Sequence, residues 1–100
     1  MDIKLELDEE KGGAFILYDN EIKIGEMAVR ISDNFITIYH TKVIPDHEGK
    51  GNAKKLIHAM IQYADENYLM IVPLCSYTIA QFLAHPDQYD SIWKQNINGY

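Results

Sequence analysis

Two glycines and one lysine stand directly before a predicted helix near the middle of the chain, and two more lysines stand in its first turn. Residues 48–53 read EGKGNA, with the glycines at 49 and 51 and the lysines at 50, 54 and 55. Glycines let the backbone approach an anion closely, successive N–H groups point into the bend, and the helix dipole adds about half a positive charge. The loop is therefore a candidate phosphate site.

Two common phosphate-binding loops do not fit this segment. A P-loop needs Lys and then Ser or Thr after its second glycine, but Asn52 follows Gly51. A dinucleotide fingerprint needs a third glycine where Lys54 stands, within a parallel β-α-β unit. A plain connection between a strand and a helix, with glycines for tightness, stays open as the alternative.

Cys75 is the only cysteine, and it follows a predicted strand directly before a predicted helix. A helix N-terminus favours the thiolate, so this residue is a candidate nucleophile or proton donor. The alternative is an inert core side chain. Ser76 and Tyr77 are further candidate proton donors, with the alternatives of helix cap and core aromatic.

His40 is the candidate general base, because imidazole titrates near neutral pH. It shares a predicted strand face with Ile36 and Ile38, so a hydrogen-bonded core histidine is the alternative. Glu26, on a predicted face with Ile22 and Ile24, either holds a base position through water or lies at a solvated edge. The other histidines have no spacing typical of a metal site, and we expect no bound metal.

Hydrophobic periodicity indicates the elements that position these residues. We predict a mixed α/β fold (α+β), in which four strands form an antiparallel meander and a long helix crosses over to a fifth strand parallel to the fourth. Gly25 suggests a bulge in the third strand. The predicted strands are 3–7, 14–18, 21–31, 35–43 and 69–74, and the two flanking helices are 52–67 and 77–84.

The composition limits the class of protein. One hundred residues predict a single domain, and 15 acidic against 9 basic residues give −6, which argues against nucleic-acid or membrane partners. Residues 1–21 carry −5, whereas residues 42–55 carry +2, so only the second segment favours an anion. The chain has no signal-peptide pattern and no apolar run of about 20 residues, so we expect a cytoplasmic protein.

The glycine loop also resembles that of a known superfamily. Gly51-x-Ala53, after a meander and at the start of a long helix, resembles the acyl-coenzyme A pyrophosphate loop of the GNAT N-acetyltransferases, [QR]-x-x-G-x-[GA]. HTKV at 40–43, IVPLCSY at 71–77 and HP at 85–86 are similar to small, truncated members, and the resemblance spans residues 14–93. Glu48 replaces Gln or Arg, so it either weakens pyrophosphate binding or points outward.

The resemblance implies a ligand and a site. Pantetheine would lie between the splayed ends of the fourth and fifth strands, with the thioester between His40 and Cys75. Cys75 would attack the thioester with His40 as its base, protonate the departing sulfur, or only fill the core. The residues expected to hold acetyl-coenzyme A are Val43, Glu48, Gly49, Lys50, Gly51, Asn52, Ala53, Ser76 and Tyr77.

The function expected from this resemblance is acetyl-coenzyme A binding with transfer of the acetyl group to an unidentified amine, either a small molecule or a protein lysine. The turn after the first strand, at residues 8–13, is too short for the helices that larger members place there, so the usual acceptor-binding wall is absent. The alternatives are a non-catalytic acyl-coenzyme A binding or sensing module, and an interaction domain whose loop binds nothing.

Overall fold

The computed structural model describes residues 1–89 and 92–93. Its order of elements matches the predicted order, with a 3₁₀ turn at Pro45–His47 before the long helix and a short third helix near the end. No helix in this part of the chain is long and apolar enough to span a bilayer. The elements are β1 (Asp2–Leu7), β2 (Gly12–Asp19), β3 (Ile22–Ser32), β4 (Phe35–Val43), α1 (Asn52–Glu66), β5 (Met70–Pro73), α2 (Ser76–Ala84) and α3 (Pro86–Tyr89).

The strands form one five-stranded sheet in the order β1-β2-β3-β4-β5. The first four are antiparallel neighbours, and β5 pairs parallel to β4. The helix α1 is the crossover that parallel pairing requires. The predicted mixed sheet with two flanking helices is therefore confirmed.

Tight turns connect the strands of the meander. Asn20 and Glu21, between β2 and β3, both have positive φ (50° and 74°), as a type I′ hairpin turn requires. Asp33 has φ 54° in the turn between β3 and β4. Asn and Asp tolerate this left-handed conformation better than most residues, so the sequence favours these turns.

The core lies between α1 and one face of the sheet. The apolar positions of α1 recur at helical spacing, and Leu56, Ile57, Met60 and Ala64 are buried, as predicted. The ring of Phe15 on β2 meets that of Tyr63 edge to face, with centroids 5.9 Å apart. The other sheet residues of this core are Leu17, Ile24, Met27, Val29, Ile36, Ile38 and Ile71.

Gly25 lies on β3 at a point where Leu56 of α1 approaches the strand closely. A Cβ at this position would lie 3.1 Å from the carbonyl oxygen of Lys42, 3.3 Å from Val43 and 3.4 Å from Leu56. The predicted bulge is present beside it, because Leu17 pairs with Gly25 while Tyr18 pairs with Lys23, leaving residue 24 as the extra one. A larger residue at position 25 would push α1 away from β3 and β4.

This bulge corrects one predicted strand face. Ile24 is buried with Met27 and Val29, whereas the sequence pattern placed it on the face of Glu26. An extra residue reverses the alternation of side chains beyond it, because strand residues alternate with a period of two. Ile22, also predicted to share the face of Ile24, is exposed.

A second bulge, in β4, was not predicted from the sequence. Ala28 pairs with His40 while Val29 pairs with Ile38, so Tyr39 is the extra residue. Ile38 is buried and His40 is exposed, although the sequence pattern placed both on one face. That assignment of His40 is wrong, because the bulge turns His40 to the other side of the sheet.

Candidate functional site

The fourth and fifth strands separate halfway along β4. Their parallel pairing ends at Ile38 and Pro73, and the last hydrogen bond between them runs from the N–H of Leu74 to the carbonyl of Ile38 (2.8 Å). Beyond this point β4 continues to Val43, whereas the other chain turns into α2. The last five residues of β4 therefore border a gap rather than β5.

Main-chain groups of β4 point into this gap. The N–H of Ile44, directly after the strand, donates to the carbonyl of Ile24 on β3 (2.9 Å). Successive residues in an antiparallel pair point their main-chain groups alternately toward and away from the partner strand. By this alternation the groups of Val43 and Thr41 point away from β3 and toward the gap.

The glycine loop closes one end of the gap. Gly49 and Gly51 have φ values of 73° and 78°, in the left-handed region that favours glycine, and space around each missing Cβ is open. Within the described part of the chain, the main-chain N–H groups of residues 49–54 donate to no acceptor. Successive free N–H groups in a bend before a helix form a concavity suited to an anion.

The buried amide of Asn52 holds this loop in place. Its side chain is 2% exposed, and its Nδ2 donates to the carbonyl of His47 (3.1 Å), which ties the 3₁₀ turn to the start of α1. His47 in turn lies 3.7 Å from Asp19, measured from Nε2 to Oδ2. The loop is therefore positioned by an asparagine and not by its lysines.

A groove of about 630 Å³ runs from the glycine loop along the end of β4. Two of the expected ligand-binding residues, Lys50 and Ser76, do not line it. Lys42 and Lys54 are its lysines and Glu48 is its carboxylate, so the predicted local positive charge and the negative charge at position 48 both lie here. The lining residues are Thr41, Lys42, Val43, His47, Glu48, Gly49, Gly51, Asn52, Ala53, Lys54 and Tyr77.

Cys75 lies at the N-cap of α2, where its carbonyl accepts the N–H of Ile79 (3.0 Å). The residue is 6% exposed, and its thiol donates to Oγ1 of Thr41 (3.6 Å). The hydroxyl of Thr78 is also buried beside the sulfur. Cys75 thus joins the start of α2 to the free end of β4.

These surroundings favour the thiolate. Burial alone would raise the pKa of the Cys75 thiol, but hydrogen bonds from the main chain and hydroxyl of Thr78, the hydroxyl of Thr41 and the main chain of Tyr77 outweigh it. The pKa of Cys75 is therefore lowered from the ordinary value of 9.0. Such a thiol gives up its proton more readily than a thiol in solvent.

The structure does not bring His40 and Cys75 together. Thr41 contacts the sulfur, and His40, its neighbour on the strand, points to the other side of β4. There His40 Nε2 lies 3.6 Å from Oε2 of Glu26. The two candidate catalytic groups flank the free end of β4 from opposite sides, each with its own partner.

Tyr77 and Ser76 differ in how they meet the site. Tyr77 is half-buried in the groove, and its pKa is raised mainly by burial and further by the charges of Tyr89 and Cys75, so its hydroxyl stays protonated at neutral pH. Ser76 is exposed at the start of α2, and no side chain caps that helix. Tyr77 therefore remains a candidate proton donor, whereas Ser76 lies outside the groove.

Two threonines contribute to the site without having been predicted from the sequence. Thr41 reaches Cys75 only because the bulge at Tyr39 turns it toward α2. Thr78 carried a weak signal, since it lies three residues after Cys75 in the first turn of a predicted helix, where side chains meet the N-terminal groups. Among the described residues, no three His, Cys, Asp or Glu side chains are grouped to hold a metal.

The lowered pKa of Cys75 can be measured directly. Because folding favours the thiolate, the contribution of this group to stability grows as pH rises through the folded-state pKa and is complete above the unfolded-state pKa. We expect thiolate absorbance to titrate below 9.0 in the native protein, and Thr41→Val to shift that midpoint upward. Cys75→Ser supplies the tyrosine baseline, and an unchanged midpoint in Thr41→Val would contradict the role of its hydroxyl.

The sheet combines an antiparallel meander with a parallel fifth strand, and a gap opens between β4 and β5 beside the glycine loop. This combination is typical of one class of protein, the N-acetyltransferases of the GNAT type. The family model of the GCN5-related N-acetyl-transferases matches residues 6–92. The chain therefore belongs to the GCN5-related N-acetyltransferase family. Comparison with curated proteins gives no match.

Solved structures of acetyltransferases share the fold. A GCN5-like putative N-acetyltransferase from Staphylococcus aureus is 29% identical, with a TM-score of 0.61 over 97% of this chain and 94% of that one. A ribosomal-protein-alanine N-acetyltransferase from Brucella melitensis is 19% identical, with a TM-score of 0.60 over 87% of this chain and 65% of that one.

Two further structures are similar in fold at lower coverage. An acetyltransferase from Vibrio fischeri is 17% identical, with a TM-score of 0.57 over 68% of this chain and 63% of that one. The aminoglycoside N-acetyltransferase AAC(6')-Iy, solved in complex with CoA, is 19% identical, with a TM-score of 0.55 over 77% and 66%. The chain thus spans slightly less than two thirds of the Brucella, Vibrio and aminoglycoside enzymes.

Proposed function

We propose that this protein binds acetyl-coenzyme A in the groove and transfers its acetyl group to an amine. The observation that carries the proposal is the row of main-chain N–H groups at residues 49–54, which donate to no described residue, in a loop that lines the groove at the end of β4. Membership in the family and the fold shared with a transferase solved with CoA support the same ligand.

In this proposal the pyrophosphate of coenzyme A occupies the glycine loop. Free N–H groups and the start of α1 provide hydrogen bonds and partial positive charge, and Lys42 and Lys54 add full charges along the groove. Lys50 does not line the groove, so its contribution is long-range attraction. Asn52 acts by holding the loop, since its amide is committed to His47.

Pantetheine then follows the free end of β4. Its amides would pair with the main-chain groups of Val43 and Thr41, as an added strand does at an exposed sheet edge. This path ends beside Cys75, where β5 gives way to α2. The thioester would therefore lie at the edge of β4, with the thiol on one side and His40 on the other.

The chemistry follows from this placement. The amine nitrogen attacks the thioester carbonyl, an N–C bond forms, the C–S bond breaks, and the amine loses a proton. We assign Cys75 as the acid that protonates the departing thiolate, because its pKa is below that of an ordinary thiol. Proton transfer from Cys75 to the coenzyme A sulfur is then favourable, and solvent restores the cysteine proton.

The nucleophilic role of Cys75 has less support from the geometry. It needs a base beside the sulfur, and the sequence suggested His40 for this task. His40 instead faces Glu26, on the other side of β4. The groups that contact the sulfur are hydroxyls and main-chain N–H groups, which donate hydrogen bonds and do not accept a proton at neutral pH.

The acceptor is proposed only as a class, an amine on a small molecule or a protein lysine. Two of the fold relatives are named for their acceptors, a ribosomal-protein alanine and an aminoglycoside. The fold itself therefore does not select one amine. The open side of the sheet leaves room for either class.

The test uses the purified protein in two steps. Native mass spectrometry should show a complex with coenzyme A at one molecule per chain. Thiol release from acetyl-coenzyme A should then exceed hydrolysis when lysine, a lysine-containing peptide or a peptide with a free α-amino group is added. Absence of the complex would overturn the proposal. A complex without turnover would support the binding or sensing module instead.

A further inference from the structure

His40 and Glu26 form a pair on the sheet face that α1 does not cover. The bulge at Tyr39 turns His40 to this face, where its Nε2 lies 3.6 Å from Oε2 of Glu26 on the neighbouring strand. The histidine side chain is 52% exposed and the glutamate 25% exposed. Ala28, directly opposite His40, is small and leaves the imidazole accessible.

The carboxylate of this pair is kept ionised. A hydrogen bond from Lys23 is the main cause of the lowered pKa of Glu26, and burial opposes the shift. The charges of Lys23 and Lys42 and the interaction with His40 lower the pKa further. The charged and titratable groups that face His40 are thus Glu26 and Lys23 from β3 and Lys42 from β4. One carboxylate oxygen remains directed at the imidazole.

A second, smaller groove lies beside this pair. It holds about 240 Å³ and is bordered by Lys23 and Glu26 from β3 and by Lys42, Val43 and Pro45 from the end of β4. Lys42 and Val43 also line the larger groove assigned to coenzyme A. The two grooves therefore meet at the end of β4.

We propose that Glu26 is a positioning residue that orients His40, and that the acceptor amine approaches from the sheet face that carries them, opposite Cys75. The inference rests on the proposed acetyl transfer. It separates the two proton transfers in space: His40 removes the proton of the attacking amine on one side of β4, and Cys75 protonates the coenzyme A sulfur on the other.

The carboxylate favours one tautomer of His40. A carboxylate attracts a donor, so the imidazole nitrogen 3.6 Å from Glu26, Nε2, is the one favoured to carry the hydrogen, and Nδ1 then keeps its lone pair. Nδ1 then accepts the proton that the amine loses as its nitrogen bonds to the carbonyl carbon. The imidazolium formed is stabilised by the adjacent carboxylate and returns its proton to solvent after the amide leaves.

The exposure of this face bears on the kind of acceptor. Glu26 borders the smaller groove, and the side chain of His40 is more than half exposed, so the pair is not enclosed in a pocket. An amine at the end of a flexible chain, such as a lysine side chain of a peptide, can reach Nδ1 without its carrier entering the protein. A lysine-containing peptide is therefore the probe of choice.

The test combines a spectroscopic and a kinetic measurement. Long-range proton–nitrogen correlations should report the Nε2–H tautomer of His40 at a pH well above about 6.5, the ordinary pKa of histidine. Glu26→Gln should reduce this preference and lower turnover of a lysine-containing peptide about tenfold, and His40→Gln about 100-fold, the scale of general-base catalysis. Acetyl-coenzyme A affinity should change in neither variant.

Lys23→Gln is the matched control, because it removes the other partner of Glu26 and leaves the carboxylate. It should keep the Nε2–H tautomer. An Nδ1–H tautomer in the native protein, or native turnover in His40→Gln, would overturn this inference. Neither result would contradict the proposed acetyl transfer, provided that the native protein itself turns over. Failure of the native protein to bind or use acetyl-coenzyme A would overturn both.

Discussion

Replacement of Gly51 by aspartate should weaken coenzyme A binding at least about 100-fold, which corresponds to about 2.7 kcal/mol. The carboxylate would stand at the start of α1, where the proposed pyrophosphate meets the free N–H groups of residues 49–54. A side chain at this position has room, so steric damage to the core is not expected. The loss should therefore arise from charge repulsion and blocked approach, as calorimetry with coenzyme A would measure.

Gly51→Asn separates charge from backbone strain. Asparagine has nearly the shape of aspartate, carries no charge and tolerates the left-handed φ of 78° at this position. Both variants should lose a similar amount of stability, about 1 kcal/mol. Only the aspartate variant should lose most of its affinity, and equal affinities in the two variants would remove the loop from the site.

Glu48 offers the opposite change in the same groove. If its carboxylate faces the phosphates, Glu48→Gln and Glu48→Arg should both tighten coenzyme A binding, with the larger effect for arginine. If calorimetry shows no change in either variant, the Glu48 side chain points away from the phosphates. Its exposed position is compatible with that orientation as well.

Replacement of Cys75 by alanine should lower turnover about 100-fold, at the lower end of the range for a lost general acid. Acetyl-coenzyme A affinity should stay roughly constant, because the proton is transferred only in the transition state. The change also removes a small buried side chain, so about 1 kcal/mol of stability should be lost. Turnover at substrate saturation, measured below the melting temperature, distinguishes the two effects.

Three observations separate the roles of Cys75. A hydroxylamine-labile acetyl group on its peptide, absent in Cys75→Ser, would contradict the acid role and support a nucleophile. Wild-type turnover in Cys75→Ala would contradict both roles. Thr41→Val leaves the sulfur in place and removes the hydroxyl beside it, so it should slow turnover less than Cys75→Ala while raising the pKa of the thiol.

The element order and the parallel fifth strand could be predicted because each depends on local patterns. Alternation indicated the meander, helical spacing indicated α1, and the crossover requirement then placed β5 beside β4. The loop could be located because glycines mark positions with left-handed φ, and Gly49 and Gly51 both have such values. The helix α3 was missed, because four residues carry too little periodicity.

The arrangement of the candidate catalytic residues could not be predicted, because it depends on the bulge at Tyr39. β4 contains no glycine or proline that would indicate a bulge, and the pairing with β3 decides where the extra residue lies. The simple alternation therefore grouped His40 with Ile38 on one face of the strand. Thr41 was overlooked for the same reason, since the unbulged strand points it away from α2.

The bulge in β4 also makes the pairing register of this strand as important as its composition. Before Tyr39, alternate residues of β4 point into the core, and after it the residues of the strand border the grooves. Loss of the bulge with Tyr39 retained, so that Tyr39 paired with Ala28, would exchange the two sides for every later residue of the strand. His40 would then occupy the place of Thr41, and a charged Lys42 would face α1. Deletion of Tyr39 would remove the bulge without this exchange, because Ile38 and His40 would then be consecutive opposite Val29 and Ala28. Relatives with an intact site should therefore either keep the extra residue as a bulge or lack it altogether.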